Sequence, residues 1–242
     1  MSGVVVVGQV ARDLVLTIER MPDDGGSAAV RQRRELIGGK GANQAVACRQ
    51  LGAEVHLVGV VGDDQAGRDV VAQAADDGIG VAGVVHRAGA PTALLVDIVE
   101  PNGIRRLLQD VAAGVLLDAG DVRRSRELLH AADAVLVQLQ QPGPAVLEAL
   151  EAGAAGGALV VADGAPADED VRRQVLRHAT VVRADRKEVE ALVGWKPRDL
   201  AQTVEAARSL LTEGPRVVAL AAPGEGNVVA WSRRTRGTPP PR

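Results

Sequence analysis

Lys40 sits among three glycines in the stretch Gly38-Gly39-Lys40-Gly41-Ala42-Asn43-Gln44. Glycine tolerates positive φ and lets a ligand come close to the backbone. The N–H groups of a first helical turn suit oxygen-rich ligands. The stretch runs into Ala45-Val46-Ala47-Cys48-Arg49-Gln50-Leu51 and closes at Gly52, so it reads as a glycine-rich turn feeding a helix. Lys40 and Asn43 are then placed to read what binds there. Lysine occurs elsewhere only at Lys187 and Lys196, in a chain whose other basic residues are arginine, so a lysine in this turn is not incidental.

Two carboxylate positions carry possible chemistry. Asp13 follows the run Val4-Val5-Val6-Val7-Gly8, and in parallel α/β sheets the ligand crevice lies beyond the carboxyl ends of strands. It is either a ligand-facing carboxylate or a turn aspartate capping its own loop. Asp185-Arg186-Lys187-Glu188 opens a helix, where acidic residues also suit the helix dipole without any ligand. Other chemistries have little support. His56, His86, His130 and His178 lack metal-ligand spacing, the lone Cys48 has no evident base, no G-x-S-x-G elbow occurs, and the first strand lacks a dinucleotide glycine fingerprint.

The elements that must position these residues alternate. Residues 3–8 read as a strand buried on both faces. Residues 14–37, with the turn cluster Pro22-Asp23-Asp24-Gly25-Gly26, read as strands outside the main sheet. Val55 to Gly62 is a strand leading to Asp63-Asp64, followed by a helix ending near Gly78 and a strand over 79–85. Residues 92–99 and 104–108 form a hairpin, with Asn102-Gly103 suggesting a type I′ turn. From Asp121 helices (121–132, 144–155, 168–178, 186–192, 199–211) alternate with strands (134–139, 158–162, 180–182, 216–221), and 227–231 adds one more strand. Such alternation predicts a parallel sheet with right-handed crossovers.

Composition narrows the function. Of 242 residues, 46% are hydrophobic, which is enough for one substantial α/β core of Val, Leu and Ala. Net charge is −3, and Trp195 and Trp231 are the only aromatic residues, so neither a basic footprint nor a stacking platform marks nucleic acid as a partner. No apolar run approaches membrane-span length. With one cysteine and no leader-like start, a cytoplasmic location is expected. Residues 232–242 (Ser-Arg-Arg-Thr-Arg-Gly-Thr-Pro-Pro-Pro-Arg) break the pattern and are expected to be a disordered, basic, proline-rich tail beyond an α/β domain of residues 1–231.

The glycine stretch, with Asp13 upstream and Gly59-Val60-Val61-Gly62-Asp63-Asp64 downstream, resembles the N-terminal signature of the ribokinase-like (PfkB) carbohydrate kinases. The resemblance implies a doubly wound, mostly parallel sheet with a small β-sheet lid, here from about 14–37 and 92–108. It implies transfer of the γ-phosphoryl of ATP, with Mg2+, to a hydroxyl of a sugar or nucleoside. Asp13, Gly39, Lys40 and Asn43 would hold the acceptor, with Gln140 a further substrate-binding position. Gln140 stands where ribokinases carry a glutamate against the sugar, and Ala11 where they carry asparagine. Asp185 and Glu188 match an N-x-x-E element near metal and phosphates, with asparagine replaced by Asp185. Ala221 and Pro223 replace a threonine and a glycine in the loop approaching phosphate. By analogy a homodimer through the lid is expected. The family's D-x-x-G-A-G-D motif, which supplies the general base and an anion hole, does not occur in these residues. A shortened C-terminus with impaired turnover is therefore expected, the alternative function being a catalytically silent sugar- or partner-binding protein.

Overall fold

A computed structural model describes residues 3–224 and 226–232. In chain order the first elements are β1 (Val4–Val7), β2 (Ala11–Ile18), β3 (Val30–Gly38), α1 (Lys40–Gln50), β4 (Val55–Gly62), α2 (Gln65–Asp76), β5 (Gly80–Arg87), β6 (Leu94–Val99) and β7 (Arg105–Asp110). There follow α3 (Ala119–Arg124), α4 (Arg126–Ala131), β8 (Ala134–Gln138), α5 (Gly143–Ala155), β9 (Leu159–Asp163), α6 (Glu169–His178), β10 (Val181–Ala184), α7 (Val189–Val193), α8 (Leu200–Glu213), β11 (Val217–Ala221) and β12 (Asn227–Trp231). The chain parts into two compact units, with breaks after Val7 and after Leu116.

The unit containing β1 and everything from Leu117 onward has the strand order β12-β11-β10-β9-β8-β1. All neighbours are parallel except β12, which returns antiparallel to β11. A short turn suffices for that return, whereas a parallel strand would need a crossover. The strands are unbroken Val/Ala/Leu runs because both faces are covered: Val5, Val6, Val7, Val135, Val137, Val160, Val182 and Val218 are all buried. Leu150 of α5, Leu176 of α6 and Leu210 of α8 are also fully buried, each contributing about 1.5–3 kcal/mol.

In the other unit, residues 8–116, β4 and β5 pair in parallel across the α2 connection. A separate four-stranded sheet has the order β3-β2-β6-β7. Its β2–β3 and β6–β7 pairs are antiparallel, while β2–β6 is parallel. The two segments read as strands outside the main sheet do therefore pair with one another.

Several local expectations need correction. Asp13 lies within β2, paired with Leu36 and Leu95, and not in a loop after the first strand. The helix after the glycines begins at Lys40 itself, because Asn43 already donates its N–H to the Gly39 carbonyl (2.9 Å). The turn between β6 and β7 is not type I′, since Asn102 keeps a negative φ. Pro101 fixes the first corner of a type I turn, Gly103 donates to the Glu100 carbonyl (3.0 Å), and Gly103 at φ 80° then reverses the chain. The single helix expected over 121–132 is broken at Ser125, whose N–H bonds to Val122, three residues back, and tightens the turn. Helix α7 begins only at Val189, because residues 185–188 form its capping turn. Of the expected tail, Ser232 donates to the Arg216 carbonyl (2.9 Å), and 233–242 lie outside the described residues. Among the described residues no helix is long and apolar enough to cross a membrane.

Asp64 ties the β4–α2 corner to the segment entering β6. Its carboxylate caps α2 through the Gly67 N–H (2.7 Å) and accepts from both the Thr92 N–H (2.8 Å) and the Thr92 hydroxyl (2.6 Å). Burial alone would raise its pKa, but these donors and Arg68 outweigh it and hold the carboxyl below its ordinary value. Asp64→Ala should cost about 2 kcal/mol in urea unfolding at neutral pH, roughly half from the cap and half from the Thr92 contacts. Because the folded pKa is depressed, this stabilisation is present above the unfolded value of about 3.9 and fades as pH falls through the folded one. The gap between wild type and variant should therefore narrow in acid; a gap that is constant down to strongly acidic pH would refute the ionic origin.

Candidate functional site

In the unit of residues 8–116, the turn from β3 into α1 is shaped by what it must avoid. A β-carbon on Gly38 would lie 1.7 Å from an Asp13 carboxylate oxygen, so the Asp13 side chain occupies the space that any other residue at 38 would fill. Gly39 takes φ 88°, and a β-carbon there would stand 2.7 Å from the Gln9 carbonyl oxygen. On Gly41 a β-carbon would meet the Gly8 carbonyl carbon at 2.6 Å. The first turn of α1 thus lies directly on the backbone of residues 8–9, and Ala42 donates to the Gln9 carbonyl (3.1 Å). Three small residues in this stretch are steric requirements.

This packing brings Asp13, Gly39, Lys40 and Asn43 into one neighbourhood. The Gly39 N–H donates to the Asp13 carboxylate, while one Asp13 oxygen is buried with no hydrogen-bond partner among the described residues. Burial pushes the Asp13 pKa up, the nearby Asp97 carboxylate adds to this, and the Gly39 N–H and Arg105 oppose it. Lys40 is half-buried and Asn43 exposed on the first turn of α1. An acceptor oxygen without a donor in a water-poor place is costly.

Sequence reasoning missed the pair behind Asp13. Asp97 on β6 is buried and receives two hydrogen bonds from the Arg105 guanidinium of β7 (2.5 and 2.7 Å). The available signal was a carboxylate in the middle of the apolar run Leu94-Leu95-Val96-Asp97-Ile98-Val99.

In the other unit, the structure joins Gln140 to Asp185 and Glu188. Glu188 is buried; one oxygen accepts from the Gln140 amide (3.2 Å) and the other from the Asp185 N–H (2.9 Å). The Asp185 carboxylate accepts in turn from the N–H groups of Lys187 (2.8 Å) and Glu188 (3.2 Å). This reciprocal arrangement closes the turn of residues 185–188 that leads into α7, in the pattern of a capping box. Gln140 is also tied to the fully buried Gln138, whose amide donates to it (3.1 Å). Arg183, also missed, bonds to Asp163 (2.8 Å) and comes within 3.9 Å of Glu188; its pKa is raised chiefly by the Asp163 bond.

The metal expectation meets a small donor set. Among the described residues no three His, Cys, Asp or Glu side chains converge as a metal cage. Mg2+ commonly takes only one or two carboxylates, together with waters and phosphate oxygens. Asp185 and Glu188 are a pair of that size.

The pfkB family carbohydrate kinase profile matches residues 1–242. Mouse (Mus musculus) ribokinase is 28% identical over 228 residues, a match that covers 94% of this chain and 71% of the mouse protein. The bifunctional ribokinase/ribose-5-phosphate isomerase A of Fructilactobacillus sanfranciscensis is 26% identical, with 95% of this chain covered but 43% of that protein. Among solved structures, Arabidopsis thaliana ribokinase complexed with ribose and ATP superposes with a TM-score of 0.73 at 22% identity, covering 98% of this chain and 80% of that one. Thermotoga maritima ribokinase gives 0.77 at 22%, covering 99% and 78%. These likenesses establish a ribokinase-like α/β fold, and the chain belongs to the pfkB family of carbohydrate kinases.

Proposed function

We propose that the chain binds a sugar or nucleoside through Asp13, Gly39, Lys40 and Asn43 and serves ATP-dependent phosphorylation of one of its hydroxyls. The observation that carries this reading is the buried Asp13 oxygen that lacks a donor among the described residues, beside a glycine-lined backbone. An ionised carboxylate accepts hydroxyl hydrogen bonds, while Lys40 and the Asn43 amide donate. Such a set favours polyols, because a missing hydroxyl leaves a buried polar group unpaired. Ribose and ATP bound to the Arabidopsis relative support the substrate class.

On the other unit, Asp185 and Glu188 would hold Mg2+, whose chemistry when bound is to neutralise charge on the phosphates. Glu188 is fixed for that role by Gln140 and the Asp185 N–H. In this arrangement Gln140 orients Glu188. The small sheet of residues 14–37 and 92–108 would act as a lid and as the contact for a second copy, since Leu36, Leu107 and Leu108 are exposed on it. Ala221 and Pro223, where the resemblance implies a threonine and a glycine close to phosphate, favour a second reading in which the chain binds sugar without turning it over. Sugar-dependent ADP formation at ordinary kinase rates would exclude that second reading.

Calorimetric titration over a panel of pentoses, hexoses and nucleosides tests the acceptor site. Asp13→Asn should weaken the best ligand about 10- to 100-fold, the range for a hydrogen bond to a charged group. Gly38→Ala removes no polar group yet should weaken binding comparably by evicting the Asp13 carboxylate. Equal affinity in wild type and both folded variants would refute the assignment. If ionised Asp13 is the binding form, its raised pKa sets the direction of the pH effect. Affinity should fall on acidification at a higher pH than an ordinary aspartate would give, and Asp13→Asn should flatten that dependence. For the lid contact, sedimentation should report a dimer that Leu108→Glu converts to monomer; a monomeric wild type at high concentration would dismiss it.

A further inference from the structure

Within the unit of residues 8–116, Asp97 is a buried carboxylate in the otherwise apolar strand β6. Its hydrogen bonds are the two from Arg105 on β7, and among the described residues it caps no helix and closes no turn. The hairpin that carries the pair is set without it. Gly103 donates to the Glu100 carbonyl (3.0 Å), the ladder runs unbroken from Leu94 opposite Asp110 to Val99 opposite Arg105, and Arg106 braces Glu100 beside the turn. Exchanging a buried ion pair for apolar side chains is often neutral or stabilising. A charged pair at this place therefore points to a use besides folding.

Strand register decides which way the pair faces. Asp13 pairs with Leu95, Val15 with Asp97, and Arg105 with Val99. Partners across a ladder share a face, and alternate residues along a strand return to it, so Asp13, Asp97 and Arg105 lie on one face of the small sheet. Neighbouring strands stand about 4.8 Å apart and two residues rise about 6.6 Å, which puts Asp13 and Asp97 on a diagonal of roughly 8 Å. The exposed Arg34, paired with Val15, stands on the same face, while Arg12, Glu35 and Arg106 project from the other. The charge of Arg105 is felt at Asp13, where it favours the ionised carboxylate.

Asp97 does not exhaust Arg105. The guanidinium commits its Nε–H and one Nη2–H to the carboxylate, which leaves three of its five donors, and its side chain is largely exposed whereas that of Asp97 is buried. We propose that Arg105, held in place by Asp97, donates to the acceptor at the end away from Asp13, and so selects neutral polyols that carry an oxygen there over their deoxy analogues. Arg105 is then a specificity-determining residue and Asp97 a positioning residue. The ligand is neutral because Asp97 already balances the guanidinium, and a carboxylate or phosphate on the acceptor would meet Asp13 and Asp97 as like charges. The assignment rests on the reading of Asp13 as an acceptor contact.

Calorimetric titration of the full chain with ribose, glucose, fructose and adenosine, each beside its monodeoxy analogues, tests this in wild type, Arg105→Gln, Arg105→Lys and Asp97→Leu/Arg105→Leu. The double variant removes both charges together and leaves no carboxylate buried alone, while Arg105→Gln changes a largely exposed side chain. Matched melting temperatures establish that the variants are folded. In wild type, loss of one particular hydroxyl should weaken binding about 10- to 100-fold, the range for a hydrogen bond to a charged group. The same deoxygenation should matter little in Arg105→Gln and in the double variant, where the parent compound binds as weakly as its analogue. Arg105→Lys, which keeps a cation without the fork, should restore part of the preference. If parent and analogues weaken by the same factor, or the preferences do not change, the proposal is overturned; the acceptor reading stands where Asp13→Asn still weakens the parent. Gluconate bound more tightly than glucose, with the difference abolished in Arg105→Gln, also overturns it. Affinity indifferent to Asp13→Asn, or no binding of any of the four compounds, removes the acceptor reading and the proposal with it.

Discussion

The seat of the Asp13 carboxylate, in the space where residue 38 would carry a β-carbon, is the constraint on which the proposed acceptor site depends. It couples β2 to the β3–α1 turn at a single point. The contact fixes residue 38 as glycine, holds the Asp13 carboxylate against the Gly39 N–H, and leaves one of its oxygens buried without a donor among the described residues. Position 39 needs positive φ, and position 41 needs the bare backbone so that α1 can rest on residues 8–9. The glycine-rich stretch is thus less a flexible cradle than a tightly filled joint. Its tightness is what allows a carboxylate to be held partly desolvated with incomplete hydrogen bonding, an arrangement that costs stability and that a polyol would relieve under the proposed function.

The order of strands and helices was legible because the composition is so plain. With no Phe or Tyr, the core had to be Val, Leu and Ala, and long Val runs such as Val4–Val7 can only be strands covered on both faces. Aspartates cap α6 and α8: Asp168 and Asp199 each accept from the third N–H of the helix that follows. The boundaries that failed have local causes a pattern does not carry. Pro101 overrode the Asn-Gly preference by taking the first corner of the turn. Ser125 split a helix that hydrophobic spacing alone made continuous, and both flanking anchors, Val122 and Leu129, are nonetheless fully buried.

At the candidate sites, residue types were readable from the sequence and partnerships were not. Asp13, Gly39, Lys40 and Asn43 are close in sequence or across one strand pair, so their neighbourhood followed from the local motif. Asp97 and Arg105 belong to a hairpin roughly ninety residues downstream of Asp13, and only the parallel β2–β6 pairing brings them near it. Gln140 and Glu188 are 48 positions apart and meet because β8, β9 and β10 are consecutive parallel neighbours with shared register. Such a meeting is a property of sheet order, which no short motif encodes.

That distinction bears on how Asp185 and Glu188 should be understood. An acidic helix entry has a structural use, and here it is realised: the Asp185 and Glu188 carboxylates accept from N–H groups of the 185–188 turn that leads into α7. Satisfying those groups does not exhaust a carboxylate, which has about four lone-pair directions between its two oxygens. Gln140 takes one on Glu188, and Arg183 lies near enough to lower the cost of keeping the buried charge. Capping and ligand binding are therefore compatible uses of the same pair. The box fixes both side chains in one orientation, and a cation arriving with phosphate would find acceptors already positioned and meet little cost of ordering them.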